Sequence, residues 1–385
     1  MSSTGTPDPA PPQEAELDLT TVIVKTHAPR KAGDEDRAHY LVVVEGPERG
    51  LRIELGKKAV TFGRTEPADV VLPDPQVSRS HCRVGLVMDD VFLSDLGSSN
   101  GTFVDNERIS KTTPLPVGGR FRIGSRVLEH EFRARKEVQA SKALDTDLEN
   151  AGSYVRSLLP PPIADGPIRT EWLLLPSARL GGDVFGYRYL DPDRFAIYLL
   201  DVSGHGTGPA MHAVSVVNVL RGGAMPGIDP GEPAHVVASL NSMFQMRSHG
   251  GLYLTIWYGV YNLASRSLDY CSAGHHPSFL VPPGREEAIA LRLPNVPIGL
   301  TQTARFRAGH VEVPPGSSLY VFSDGVFEVD TRAGGLWTLE DLAARILEAP
   351  APGVPETQRL LDAVRSIALE PAFEDDFTLL VASFA

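Results

Sequence analysis

Cysteine is almost absent: among 385 residues only Cys82 and Cys271 occur, far apart in the chain. Two such residues build neither a disulfide framework nor a four-cysteine zinc site. Long apolar runs are missing too, and the opening MSSTGTPDPAPPQEAELD has neither the basic nor the apolar block of a secretory leader. A membrane span and a signal peptide are therefore not expected. Nor is there an excess of positive charge. The formal net charge of -12 argues against an electrostatic grip on nucleic acid or anionic lipid, while leaving room for a local basic pocket that holds one phosphate. A cytoplasmic protein that engages neither nucleic acid nor membrane is the expectation.

What is present is a chain longer than one typical domain, with changes of texture along it. Residues 1–37 are rich in Pro, Ala, Glu and Asp and read as a disordered tail. Over 38–132 short β-type runs such as YLVVVEG, AVTFG, CRVGLVM and RFRIG alternate with turn signals, which predicts an all-β sandwich. Residues 133–161 read as a helical linker. In it Leu144, Leu148, Ala151, Val155 and Leu158 repeat at steps of four and three until Pro160 to Pro162 stop the helix. That seam either lies on one of its own domains or pairs two copies in a homodimer, and about two heptads do not decide between them. From 162 to 385, strand-like runs (RFAIYLLDV, LTIWYGVYN, SLYVFSDG, FTLLVASF) mix with helix-like ones (PAMHAVSVVNVLRG, TLEDLAARILEA). Several strands are hairpin neighbours and the helices are grouped, so an α+β domain with antiparallel sheet is expected.

Three clusters in the β-rich part place short polar residues in turns: TFGR (61–64), VSRSHCRV (77–84) and LGSSNGTFV (96–104). Alone, SSNGT is a good hairpin turn. Together, in this order and spacing, the clusters resemble the forkhead-associated (FHA) domain over residues 40 to 130. That family is a β-sandwich that binds phosphothreonine peptides through loops at one end. The resemblance implies that Arg64 and Ser78 grip the phosphate with Arg79 and Ser99 assisting, that Asn100 holds the peptide backbone, and that Gly63 and His81 shape the loops. An arginine facing phosphate is the strong, charge-assisted contact such a site needs.

The second part carries a different constellation. Asp201 ends the apolar run of RFAIYLLDV, Asp183 follows a double glycine, Asp324 ends SLYVFSD, and Asp375 and Asp376 precede the last strand-like run. Any one of these is an ordinary turn former. Four segments that deliver carboxylates beside glycines or strand ends point instead to one pocket of oxygen ligands, suited to magnesium or manganese rather than zinc. The cysteine route to phosphate chemistry is closed. His81-Cys82 begins a phosphatase-like pair, but Met88 stands where its arginine would be.

In order and context GGD, DVSGHG, SAGHHP, PIGL, SDGVFE and DDFT resemble the bacterial SpoIIE/RsbU-like branch of the PPM (PP2C-type) serine/threonine phosphatases, from about residue 158 to the C-terminus. The resemblance implies a four-layer α/β/β/α domain with two divalent ions, Mn2+ or Mg2+, at the sheet edge. Asp201 would bridge the ions, Asp183, Asp324 and Asp375 would complete the protein ligands with the carbonyl of Val202, and Asp376 would act from behind. Asp201 and Asp183 would be the catalytic carboxylates, and the ions would activate the attacking water. His205 keeps a catalytic role open, His275 and His276 are expected to shape a turn or pack, and Arg179 is a candidate for the substrate phosphate. Gly186 and Phe327 depart from the family pattern.

The function expected is a metal-dependent phosphatase that hydrolyses phosphoserine or phosphothreonine on a regulatory partner protein. A phosphothreonine-bearing partner, a serine/threonine kinase or its product, would target or regulate it through the FHA domain. Thr20, Thr21 and Thr26 offer such a site on the chain itself. The alternative is a catalytically silent phosphopeptide-binding scaffold in kinase signalling. In several relatives the helix entering the phosphatase domain controls assembly of the metal site, and residues 144 to 160 occupy that place.

Overall fold

The computed structural model describes residues 36–223 and 225–385. Of the expected tail only Asp36 and Arg37 are among them; Thr20, Thr21 and Thr26 lie outside the described residues. The chain divides into two compact units, Met1–Lys142 and Ala143–Ala385.

The first unit is a β-sandwich of a six-stranded and a five-stranded sheet. In the larger sheet Arg37–Glu45 pairs antiparallel with Arg126–Ala134, and in the smaller Cys82–Val87 pairs with Asp90–Asp95. A strand turns alternate residues to one face, so Leu41 with Val43 and Phe121 with Ile123 meet Cys82 with Val84 and Val91 with Leu93 in one core. A charged pair, Arg126 and Asp74, is buried here. Arg126 donates to both oxygens of Glu48 at 2.8 Å and to Asp74 at 2.6 Å, while Asp74 also accepts from the backbone of Gln76 and Ser125. These bonds hold the Asp74 carboxyl well below the usual carboxylate range.

The second unit stacks two five-stranded antiparallel sheets. One runs, in spatial order, Ile168–Leu175, Phe377–Phe384, Ser318–Phe322, Ser278–Val281 and Ile289–Leu291; the other runs Val184–Tyr189, Arg194–Val202, Leu254–Asn262, Ser267–Ala273 and Gly309–Glu312. Helices Thr207–Gly222 and Pro233–Met243 pack on the second sheet, and Glu356–Ile367 packs on the first. Period-two alternation builds the layers. Leu319, Val321, Leu380 and Ala382 enter the core between the sheets, whereas Tyr320, Phe322, Leu379 and Val381 enter the core under helices Leu339–Leu347 and Glu356–Ile367. The four layers α/β/β/α are those expected.

Helix Arg135–Leu158 is a single element of 24 residues. Its last turns belong to the second unit. Gly152 is buried, Val155 packs on the larger core, and Arg221 donates to the Leu158 carbonyl at 2.8 Å. Leu144, the first residue of the expected seam, is 59% exposed, whereas Val155 packs on its own unit. Among the described residues no helix is long and apolar enough to cross a membrane.

Candidate functional site

The second unit presents its carboxylates at strand ends. Asp201 is the penultimate residue of Arg194–Val202, opposite Thr255 of the neighbouring strand. Asp183 immediately precedes Val184–Tyr189 in the same sheet. Asp324 opens a short turn after Ser318–Phe322, and Asp375 with Asp376 precedes Phe377–Phe384, both in the facing sheet. Two sheets therefore deliver these side chains to one edge, and the strands on which they end are anchored by buried apolar residues.

The double glycine of GGD has a steric reason. A Cβ at Gly181 would overlap the Asp376 carboxylate, and one at Gly182 would stand 2.6 Å from the Val202 carbonyl oxygen. Only glycine lets this loop approach so closely, and that approach sets the Val202 carbonyl beside Asp183. Asp376 is the brace. Its carboxylate accepts from the Ser177 amide at 2.8 Å, the Ser177 hydroxyl at 3.0 Å and the Asp183 amide at 3.3 Å. Thr378 donates to Asp183 Oδ2 at 2.6 Å, and Ser323 links the two loops by donating to the Asp376 carbonyl and accepting from the Thr378 amide. Sequence reasoning did not single out Ser177, Ser323 or Thr378. The latter two stand inside SDGVFE and DDFT, where a hydroxyl next to an aspartate was the available signal.

Charge is opposed here in two ways. Burial pushes Asp201 up to about 7, with Asp324 and Asp375 adding repulsion. Burial again, then Asp375 and Glu328, push Asp324 up to about 6. Asp183 is raised by burial, then by Asp201 and Asp376. Asp183, Asp201 and Asp324 thus each feel neighbouring carboxylates, a concentration of negative charge that a cation would offset. Asp201 and Asp324 line one cavity of about 320 Å3; Asp183 and Asp376 line a narrower one, and Asp375 an acidic recess with Glu328 and Glu374. Among the described residues no three His, Cys, Asp or Glu side chains are arranged to hold an ion directly. The side chains are gathered without forming a closed shell. As a donor set they fit hard divalent cations: oxygen only, anionic, and backed by one backbone carbonyl.

The remaining expectations divide. Arg179 is ion-paired with Glu149 at 2.6 Å and Asp145 at 3.3 Å on the preceding helix, so its charge is engaged there. His275 and His276 donate from Nδ1 to the carbonyls of His276 and Pro277, and burial keeps both rings neutral, His275 lowered to about 4. They pack, with His276 stacked on Phe322 at 4.7 Å. His205 is exposed in its loop. Gly186 faces Tyr198 across the strand pair, and a Cβ there would overlap the phenol; packing accounts for the missing acidic residue. Phe327 is taken up by the aromatic cluster around Phe322 and lines the cavity of Asp201 and Asp324. Both cysteines are buried, which pushes their thiols up, Cys271 to about 12. Neither is a thiolate nucleophile.

In the first unit Arg64, Ser78, Arg79 and Ser99 line a cavity of about 570 Å3 together with Glu66, Pro67 and Ser80. His81 ties its loops. Its Nδ1 accepts from the Ser78 amide at 3.0 Å while Nε2 donates to the Gly101 carbonyl at 3.1 Å, which defines a neutral ring with the proton on Nε2. Ser78 Oγ accepts from the Ser99 amide at 3.1 Å and keeps its own proton to donate. A Cβ at Gly63 would overlap the Arg79 carbonyl. Asn100 is not in the cavity wall; its amide donates to the Gln76 carbonyl at 2.8 Å. Among the described residues no carboxylate pairs with Arg64 or Arg79.

Comparison with known proteins places both regions. The family model described as Stage II sporulation protein E (SpoIIE) matches residues 191–385, and the FHA domain model matches 60–124. The chain is 26% identical over 183 residues to the phosphoserine phosphatase RsbP of Bacillus subtilis, which takes in 47% of this chain and 45% of that protein. It is 37% identical over 92 residues to the FHA domain-containing protein FhaB of Mycobacterium tuberculosis, or 24% of this chain and 59% of that protein. The chain thus spans about half the length of these two relatives. Among solved structures the SiaA-PP2C domain of Pseudomonas aeruginosa superposes with a TM-score of 0.55 at 20% identity, covering 64% of this chain and 99% of that one.

Proposed function

Because the chain belongs to the SpoIIE family and carries an FHA domain ahead of the family region, we propose that it is a metal-dependent protein phosphatase. It hydrolyses phosphoserine or phosphothreonine on a partner protein and is recruited or regulated through phosphothreonine. The observation that carries this reading is the convergence of Asp183, Asp201, Asp324 and Asp375 from two sheets onto one edge, with burial and mutual repulsion raising Asp183, Asp201 and Asp324. The similarity to a phosphoserine phosphatase, RsbP, supports the substrate class.

In this reading Asp201, at its rigid strand end, would hold the divalent ions, manganese or magnesium, together with Asp183, Asp324, Asp375 and the Val202 carbonyl. Ions held there supply Lewis-acid activation of water and neutralise charge on the phosphoryl oxygens. The chain's own residues orient the site. Asp376 holds the GGD loop through the Ser177 and Asp183 amides, and Thr378 fixes the rotamer of Asp183 through its 2.6 Å bond. In the first unit Arg64 and Arg79 provide the charge, and the Ser78 and Ser99 hydroxyls the donors, for a phosphothreonine. Asn100 stands beside them, braced on Gln76.

The test is manganese-dependent hydrolysis of p-nitrophenyl phosphate and of a phosphoserine protein. Activity in the wild type, abolished by chelator and by Asp201→Asn, is the expected result. Absence of both manganese binding and hydrolysis in the wild type would replace this reading by that of a phosphopeptide-binding scaffold.

A further inference from the structure

The cavity that contains Asp201 and Asp324 is walled by acidic, apolar and neutral groups with one exception. Its lining includes Glu328, Ser323, Phe327, His275 and His276, and a single cation, Arg292. The two histidines do not share that role, since burial holds both rings neutral. His275 moreover leaves its buried Nε2 without a partner in this wall.

Arg292 is exposed, and among the described residues no carboxylate pairs with it. Its backbone is nonetheless held. The preceding Leu291 is 2% exposed and ends strand Ile289–Leu291, and its carbonyl accepts from the Trp257 indole at 3.1 Å. A few residues on, Asn295 ties the same segment down by donating to the carbonyls of Ser272 and Arg307. A free guanidinium therefore projects from a fixed anchor into the cavity of the carboxylate site. Two arginines line the neighbouring cavity of Asp183 and Asp376: Arg179 has its charge engaged by Glu149 and Asp145, and Arg156 donates to the Ser153 hydroxyl at 3.3 Å.

A phosphomonoester carries about two negative charges at neutral pH. On entering a cavity lined by Asp201, Asp324 and Glu328 it meets carboxylates that repel it and, among the lining side chains, one cation that attracts it. A guanidinium presents its donors in a planar fork that matches two phosphoryl oxygens at once, which a point charge does not.

We propose that Arg292 is the substrate-binding cation of this site, bonding the phosphoryl oxygens that face away from the metal ligands and so orienting the phosphate group for attack. The inference rests on the phosphatase reading and adds a residue to it. Arg292 contributes most where phosphate is bound, so its loss raises KM and weakens the product complex without touching metal affinity.

The experiment uses the full chain loaded with manganese. Broadening of the 31P signal of inorganic phosphate by the bound ion reports only phosphate at the metal site, and so ignores any held by Arg64 and Arg79. In Arg292→Ala the phosphate Kd is expected to rise about tenfold or more, the loss of a charge-assisted bond. KM for p-nitrophenyl phosphate should rise by a similar factor, with manganese affinity by calorimetry unchanged. Arg292→Lys, which keeps the charge and loses the fork, should recover part of both. A wild type that hydrolyses the ester while Arg292→Ala leaves phosphate Kd and KM within about twofold would overturn this inference alone. A wild type that neither binds manganese nor hydrolyses the ester overturns the phosphatase reading and this inference with it.

Discussion

Single side chains at this edge divide into those that would hold ions and those that hold the holders. Asp376 is the clearest of the second kind, since its carboxylate is committed to Ser177 and to the Asp183 amide. Asp376→Ala is expected to weaken manganese binding by about 10- to 100-fold, the usual effect of removing an outer partner, as read by calorimetry. In the first unit Asp74 works through charge. Its folded pKa is depressed, so its contribution to stability is complete above the ordinary aspartate value of about 4 and is lost as pH falls toward the depressed one. Melting temperature of the first unit should therefore drop on acidification below about pH 5, and Asp74→Asn should be less stable at neutral pH but flatter across that window. Truncating its partner, Arg126→Met, leaves Asp74 buried with less compensation and should cost about 3–5 kcal/mol in denaturant unfolding.

Among the elements, helix Arg135–Leu158 matters most for the site. Gly152 is its buried contact, where a Cβ would stand 3.0 Å from the Arg179 carbonyl, and Leu180 is the next neighbour. Gly181 to Asp183 follow directly, so the helix rests on the loop that carries Asp183. Gly152→Leu should push the two apart and lower manganese affinity and turnover by about 2- to 30-fold, whereas Ser153→Ala on the exposed face should change neither. The expected residues lie on one continuous helix, Arg135–Leu158. Steps of four and three identify a helix face, but whether that face is covered depends on what folds against it, and Leu144 and Val155 received different answers.

For the molecule as a whole, the two proposed phosphate sites lie on separate compact units and predict separable behaviour. Saturating manganese should stabilise only the second unit, by about 2.7 kcal/mol when free metal is 100 times Kd, and chelator should reverse the shift in its melting transition. A phosphothreonine peptide should bind the full chain in a manner that Arg64→Ala weakens about tenfold or more, measured by fluorescence anisotropy. A peptide affinity indifferent to Arg64 would remove the first unit from phosphate recognition.

Much of this was legible in the one-dimensional chain because it depends on local rules. Period-two runs separated by turns give sheets in any context, and glycine next to aspartate at a strand end gives a carboxylate that faces outward. Those rules reach an α+β domain with antiparallel sheet and the outward carboxylates; the four-layer fold is what the resemblance carried by GGD, DVSGHG, SDGVFE and DDFT implies. What remained hidden depends on pairs distant in sequence. Arg179 carried the right charge near the right motif, yet Asp145 and Glu149 neutralise it; Gly186 broke the family pattern because Tyr198 fills its space; Asp376 became a brace because Ser177 and Asp183 turn their amides toward it. Arg292 has no motif at all. Its place at the carboxylate cavity exists only because strand Ile289–Leu291 and the Trp257 indole carry it there, and folding, which sets such long-range neighbours, is what tells one arginine from another.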